Sequence, residues 1–390
     1  MLHTKTDQKK PDDAAPDDMR FLLRGLDATP LQFRVKSGAS APPDAADSGI
    51  VAYLQSHGGA TIQEIISGVP ALAGVEYNRV RSRVARLLKS GVLEICGQVS
   101  LEAVDDRYER VPACDLCGLS SDGQPIVLWK YNTPVVRCSG CGLLYANPRW
   151  KSEHLFGRYT DDYWSHYAEL IHDAAIDVGP NAERWKPHLD YLELARENGR
   201  LLDIGCANGD FLLEAKARGW EVYGVETSPM AAAQARATTG APIHTGTLDT
   251  APFSPGFFDA ITMWDVIEHV PSPRAYLTMV ASFLRPGGMV SMTTPNIRSV
   301  SYRVLGRRWW VVGPNDHIYY FSPATMQRLL TTCGFTASDI RTWGLEQATV
   351  EAALGRVGLG QLAPRLHLRA ILLAQRLQLG DALYLVARKG

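Results

Sequence analysis

The stretch RLLDIGCANGDFLLEAKARGWEVYGVETS, residues 200–228, constrains the fold of this chain more than any other segment. An apolar run (LLDI) meets a glycine-rich turn, Gly205-Cys206-Ala207-Asn208-Gly209. A helical segment follows, then a second apolar run that ends on Glu226. Glycines at the carboxyl end of a first strand let the backbone approach a ligand closely. An acid at the tip of the second strand is placed to accept both hydroxyls of a ribose, and the separation from Gly209 to Glu226 fits that geometry.

The turn reads GxAxG rather than GxGxxG, and no third glycine opens the helix for close strand contact beside a pyrophosphate. A dinucleotide site is therefore not expected. Asp203 sits awkwardly inside a buried apolar strand. It makes sense there if it bonds the amides of the turn or orients a cationic ligand. From Arg200 to the closing DALYLVARK, strands and helices alternate, the signature of a parallel sheet covered on both faces.

Five segments in order, LLDIGCANGDFL, VYGVETS, PFSPGFFDAITMWDVIEHVPSP, LRPGGMVSMTTPN and HIYYFSPATMQRLLTTCGF, resemble the successive motifs of class I S-adenosylmethionine-dependent methyltransferases. The resemblance covers about residues 150–390. It is nearest to the small-molecule branch, which often carries an N-terminal four-cysteine zinc ribbon ending in Asn-Pro-Arg, as at 147–149. It implies an α/β fold, a Rossmann-like seven-stranded doubly wound sheet, with S-adenosylmethionine as cofactor. It further implies that Gly205, Ala207 and Gly209 line the methionine end of the cofactor. Glu226 would hold the ribose, with Thr227 and Ser228 beside it, and Gly246, Thr247 and Leu248 would border the adenine. Many relatives carry Asp in place of Thr247. Trp264 and Asp265 would lie by the sulfonium.

A methyl group on a sulfonium is already activated, so the protein must align a nucleophile and exclude water. A hydroxyl nucleophile also has to lose its proton, for which a positioned His is the usual choice. The candidates are His269, in DVIEHV, and His317, in NDHIYYFS. The second follows a loop with Arg307, Arg308, Trp309 and Trp310 that reads as a lid over the acceptor. Three readings of His269 stay open: general base, structural residue, and metal ligand. For the last, Asp265, Glu268 and His269 at i, i+3 and i+4 would share one helical face, and the similar triplet of ubiquinone-biosynthesis O-methyltransferases binds Mg²⁺. An imidazole beside two carboxylates is tolerable for Mg²⁺ but not ideal, so Mg²⁺ stands as the lesser alternative.

Seven cysteines are present, four of them in two pairs, Cys114/Cys117 and Cys138/Cys141. Two CxxC knuckles at this spacing supply four thiolates to one tetrahedral Zn²⁺, and the closed shell makes the expected role structural.

Residues 1–45, rich in Pro, Asp and Ala, read as a disordered tail. Three helical patterns and an alternating VLEICGQVSLEAV over 46–105 read as a winged-helix-like module, with Arg79, Arg81, Arg83, Arg86 and Lys89 on its third helix. Residues 106–150 form the ribbon and 151–390 the catalytic domain. The aromatics Tyr159, Tyr163, Trp164, Tyr167 and Trp185 between them read as packing.

The net charge of −1 gives no reason to expect nucleic acid as a partner. The basic residues of the module read as a solvated face, and a homodimer through that module fits the sequence. No apolar run is long enough to span a bilayer and the opening MLHTKTDQKK has no apolar stretch, so a cytoplasmic location is expected. The expected activity is methyl transfer to an oxygen of a small molecule or saccharide in a biosynthetic pathway. The alternatives are C-methylation of a nucleotide-linked sugar and, from another class, a DNA-binding regulator with a vestigial cofactor domain. From Asn296 onward there are twelve Lys or Arg against five Asp or Glu. Arg365, Arg369 and Arg376 share one stripe of a Leu-rich helix, read as packed on the sheet with a solvated face, the alternative being contact with an anionic or membrane-bound acceptor.

Overall fold

The computed structural model describes parts of 31–98, then 107–130, 133–156, 182–356 and 358–390. Two compact units emerge: one is built from residues up to 108 with 129–134, the other from 109–128 with 135–390.

In the first unit, the helix Ala45–His57 starts where the Asp44 carboxylate accepts the amides of Ala46 and Asp47. Ile50 and Leu54 on its apolar side bury against Ile65, Leu72, Val80, Val84 and Leu93. Strand β1 (Leu31–Val35) pairs antiparallel with β2 (Leu93–Gln98). The expectation of a disordered tail over 1–45 is thus corrected at its end, where residues 31–35 form a strand. Arg83 donates to both Asp44 and Asp47, and Arg86 lies 3.8 Å from Asp47. Arg81, Lys89 and the second half of the expected wing, from 99 on, lie outside the described residues, as do Tyr159, Tyr163, Trp164 and Tyr167.

The second unit opens with the cysteine ribbon. β3 (Tyr108–Glu109) pairs with β7 (Arg149–Trp150), while β4 (Ile126–Lys130), β5 (Thr133–Arg137) and β6 (Leu144–Ala146) form a sheet. The two knuckles are built alike. Gly118 and Gly142 each donate to the carbonyl four residues back, Cys114 and Cys138, at 2.8 Å.

The large sheet contains β8 (Arg200–Ile204), β9 (Glu221–Glu226), β10 (Ile243–Thr245), β11 (Phe258–Trp264) and β12 (Leu284–Pro295). After β13 (Tyr319–Tyr320), which belongs elsewhere, come β14 (Phe335–Trp343) and β15 (Ala382–Lys389). The order is β10-β9-β8-β11-β12-β15-β14. The sheet is mixed, not wholly parallel, because β15 runs antiparallel to β12 and β14. Chain order reverses between β8 and β11, which opens a crevice at the carboxyl ends of those two strands. Ser228, Ser272 and Ser322 each cap a following helix that has Pro in its first turn, so the sequence marks the helix starts locally.

The ribbon does not stand apart from the sheet. β13 pairs with β6, so a segment of the catalytic half extends the ribbon's own sheet. Cys114, Leu116, Leu143 and Tyr145 share one core with Ile267, Val270 and Phe321. A ribbon of this size buries too little apolar surface alone, and here the catalytic half supplies the rest.

Candidate active site

The glycine turn leaves β8 at the reversal point. Gly205 has φ +71° and Gly209 +86°, and an added Cβ would meet Val266 at 2.8 Å and Thr239 at 2.7 Å, respectively. Both positions thus exclude a side chain by backbone conformation and by packing. Ala207 between them also adopts positive φ, +48°.

Glu226, at the tip of β9, braces this turn. One carboxylate oxygen accepts from Ala207 N at 3.0 Å, the other from Ser228 N at 2.9 Å and Thr227 Oγ1 at 3.4 Å. The group is buried, and desolvation raises its pKa against these hydrogen bonds. The oxygen bonded to Ala207 N has a second lone pair for a ligand hydroxyl, whereas the other already accepts two hydrogen bonds. Ser228 Oγ is occupied as a helix cap, accepting from Ala231 N at 3.2 Å.

Asp203 does not bond the turn. Its Oδ1 accepts from Thr262 Oγ1 of the neighbouring β11 at 2.7 Å, while Val225 O and Glu226 take the amides of the turn. Burial pushes its carboxyl up to about 8, with Thr262 opposing. Leu248 also departs from expectation, since its side chain is buried in the core with Ile204 and Val225. Only its backbone could border a nucleobase, beside Thr247. Trp264 turns its ring toward Phe211 and His188, at centroid distances of 4.9 and 4.4 Å. His188 was not read from the sequence. It is buried, hydrogen-bonded to Ser291 and stacked on Tyr384, and no motif surrounds it to signal this.

Past β11 the chain makes a non-helical turn. Asp265 adopts φ +54° and bonds Thr293, whose Oγ1 donates to its Oδ1 at 3.0 Å. The expected face of Asp265, Glu268 and His269 is therefore not formed, because i, i+3, i+4 spacing aligns side chains only on a helix. His317 takes the place of Asp265: one ligand atom from each of Glu268, His269 and His317 lies within 4.8 Å of the others.

This cluster is held from several sides. Glu268 Oε2 accepts from Thr294 Oγ1 at 3.0 Å, whereas its buried Oε1 has no hydrogen-bond partner among the described residues. Burial pushes Glu268 up to about 8, with His269 opposing. His269 Nδ1 lies 3.0 Å from Asp316 O and 3.4 Å from Asp316 Oδ1. Burial disfavours its cation, but the bond to Asp316 and the carboxylate of Glu268 prevail, raising it to about 9. His317 Nδ1 lies 2.8 Å from Val311 O, and the two imidazoles meet edge to face at 4.7 Å. Burial, then the charge of His269, holds His317 down near 4.

The loop before His317 is not a free lid. Trp309 is buried among Val135, Ile297, Val312 and Tyr320, and its indole donates to Glu346 at 3.0 Å. Trp310 is exposed and bonds the same carboxylate. From the ribbon side, Arg149 donates to Pro271 O at 2.7 Å and to Tyr319 Oη at 3.0 Å. Asn147 brackets Val111 through both its amide atoms. The Asn-Pro-Arg signature thus fastens the ribbon beside the turn that carries His269.

Two groups among the described residues could hold a metal. In the ribbon, the Sγ atoms of Cys114 and Cys141 lie 3.5 Å apart and those of Cys117 and Cys138 3.4 Å apart. A tetrahedral shell with Zn–S near 2.3 Å has edges of about 3.8 Å, so the four sulfurs fit zinc with small adjustment. The Glu268–His269–His317 group offers two nitrogens and one oxygen, which does not suit Mg²⁺.

A family model described as "Methyltransferase domain" matches residues 179–339. The chain is 36% identical over 173 residues to a ubiquinone biosynthesis O-methyltransferase of Xanthomonas campestris pv. campestris, covering 39% of this chain and 70% of the relative. A protein of the same name from Aromatoleum aromaticum is 27% identical over 208 residues, 48% of this chain and 88% of that one. The crystal structure of an S-adenosylmethionine-dependent methyltransferase from Mesorhizobium loti, 21% identical, covers 54% of this chain and 98% of its own, with a TM-score of 0.39. Strand order, glycine turn and terminal acid meet the family match and the Xanthomonas relative in one conclusion: the chain belongs to the class I S-adenosylmethionine-dependent methyltransferases.

Proposed function

We propose that the enzyme methylates an oxygen of a small-molecule or saccharide acceptor, and that within the His269–His317 pair the neutral His317 takes the hydroxyl proton beside a His269 held as its cation by Asp316 and Glu268. The observation that carries this reading is the buried convergence of two imidazoles beside the carboxyl end of β11. Each has Nδ1 within hydrogen-bonding distance of a backbone carbonyl, which leaves Nε2 as the acceptor atom of the neutral ring. Methyl transfer to an uncharged amine gives such a pair less to do. The names of the relatives, O-methyltransferases of ubiquinone biosynthesis, point the same way.

The cofactor supplies a methyl group already activated on a sulfonium. Gly205, Ala207 and Gly209 line its methionine end, Glu226 holds the ribose beside Thr227, and the Thr247–Leu248 backbone borders the adenine. Asp265 stays out of the proton path, and Mg²⁺ is not required. Cys114, Cys117, Cys138 and Cys141 hold one structural zinc. The N-terminal unit acts as a dimerisation module rather than a DNA reader, since Arg83 and Arg86 already engage Asp44 and Asp47.

The test is incubation with labelled S-adenosylmethionine and a panel of phenols, catechols and glycosides, with product analysis by mass spectrometry. A methyl ether is expected. A product methylated on carbon or nitrogen sinks the reading, as does wild-type turnover in a His269→Ala/His317→Ala protein that still binds the cofactor.

A further inference from the structure

Between β14 and β15 the chain inserts two helices, Gln347–Gly355 and Ala363–Arg376. The second is anchored through small side chains. Ala363 and Ala374 are buried and Ala370 packs beside them, against Leu345, Val350 and Leu354. What remains outside is a wide face of leucines: Leu368, Leu372, Leu373 and Leu377 are 67%, 59%, 58% and 56% exposed. The solvated face expected of this helix thus carries leucines beside its arginines, because Ala363, Ala370, Ile371 and Ala374 make the contact.

Arg365, Arg369 and Arg376 run along the middle of this exposed face with leucines on either side. None of the three forms an ion pair among the described residues. The sequence offers no local neutralisation either, since not one Asp or Glu occurs between Glu351 and Asp381. Trp343, whose strand pairs it with Ala382 just past this helix, is 67% exposed.

We propose that the Ala363–Arg376 helix docks the enzyme on an anionic lipid surface. Exposed leucines cost free energy in water and gain it at the acyl boundary, while long arginine side chains reach up to phosphates. Charge complementarity selects this occupant. A second copy of the same face would set arginine against arginine with no acid to relieve them. Nucleic acid would set its phosphates against leucine. An aromatic side chain such as Trp343 is at home at the same interface. No helix among the described residues is long and apolar enough to cross a membrane, so the contact is peripheral.

The experiment is co-sedimentation of the full chain at low salt with vesicles of phosphatidylcholine alone and of phosphatidylcholine mixed with phosphatidylglycerol. Binding to the mixed vesicles, weakened by salt, is expected. Arg365→Gln/Arg369→Gln/Arg376→Gln should lower the partition coefficient by roughly 100-fold. Leu368→Ser/Leu372→Ser should lower it without changing the salt dependence. Both variants should bind S-adenosylmethionine as the wild type does, which shows that they are folded. The proposal is overturned if the wild type stays in the supernatant or if both variants sediment like it. A lipid-free dimer or a complex with an acidic protein that these substitutions abolish, without vesicle binding, overturns it too.

Discussion

Asp115, inside the first cysteine knuckle, accepts from Ser272 Oγ at 2.6 Å and from Arg274 N at 2.8 Å. Those donors open the helix Pro273–Phe283, just after the turn that carries Glu268 and His269. A carboxylate at a helix N-terminus meets unsatisfied amides and a favourable dipole. The knuckle thus braces the candidate active site.

Asp115→Ala should lower stability by about 1–2 kcal/mol, the scale of a lost charged cap, while zinc content stays unchanged. Elemental analysis should find one zinc per chain, and Cys114→Ser or Cys138→Ser should misfold rather than give a clean catalytic defect. Denaturant unfolding that gives Asp115→Ala the stability of the wild type would remove the brace.

Glu226→Ala should weaken S-adenosylmethionine binding by about 1–3 kcal/mol, through the ribose and through a turn that loses its anchor at Ala207 N. Calorimetry is the measurement. Undiminished affinity would take Glu226 out of the cofactor site.

Asp203 makes stability depend on pH. Its folded-state pKa of about 8 lies above the ordinary carboxyl value of about 4. The folded state therefore holds a proton that the unfolded state releases. The stabilisation is fully present below about pH 4 and is lost as pH rises toward 8. Asp203→Asn keeps an acceptor for Thr262 and carries no charge, so it should gain on the wild type across that window. Unfolding curves at pH 5, 6.5 and 8 check this, and parallel curves for the two proteins would refute it.

Once an acceptor is in hand, His317→Ala and His269→Ala should each lower turnover by about 10²–10⁴ while cofactor affinity stays near normal. Asp265→Asn should leave turnover nearly intact, and Mg²⁺-free buffer should not abolish it. Activity that requires Mg²⁺ and fails in Asp265→Asn would restore the metal reading.

Much of the site was legible because its determinants are local. Gly205 and Gly209 stand at positions whose backbone excludes other residues, and Glu226 follows them at the distance a single βαβ unit dictates. The cysteine pairs are equally local, each knuckle closing on its own glycine. Ser-Pro and Ser-x-x-Thr at helix starts announce their caps in sequence.

What sequence could not show depends on distant chain segments meeting. A helical reading of Asp265, Glu268 and His269 fails because Thr293, on the adjacent strand, draws Asp265 away, and His317 arrives from beyond β12. Leu248 and Trp309 look available for ligands until the core closes over them. The leucines of Ala363–Arg376 look like core until Ala363, Ala370 and Ala374 make the contact instead. Local backbone requirements and short spacings are written into the order of residues. Which face of an element is buried, and which side chains converge across the fold, is set only when the sheet, the ribbon and the C-terminal insertion pack together.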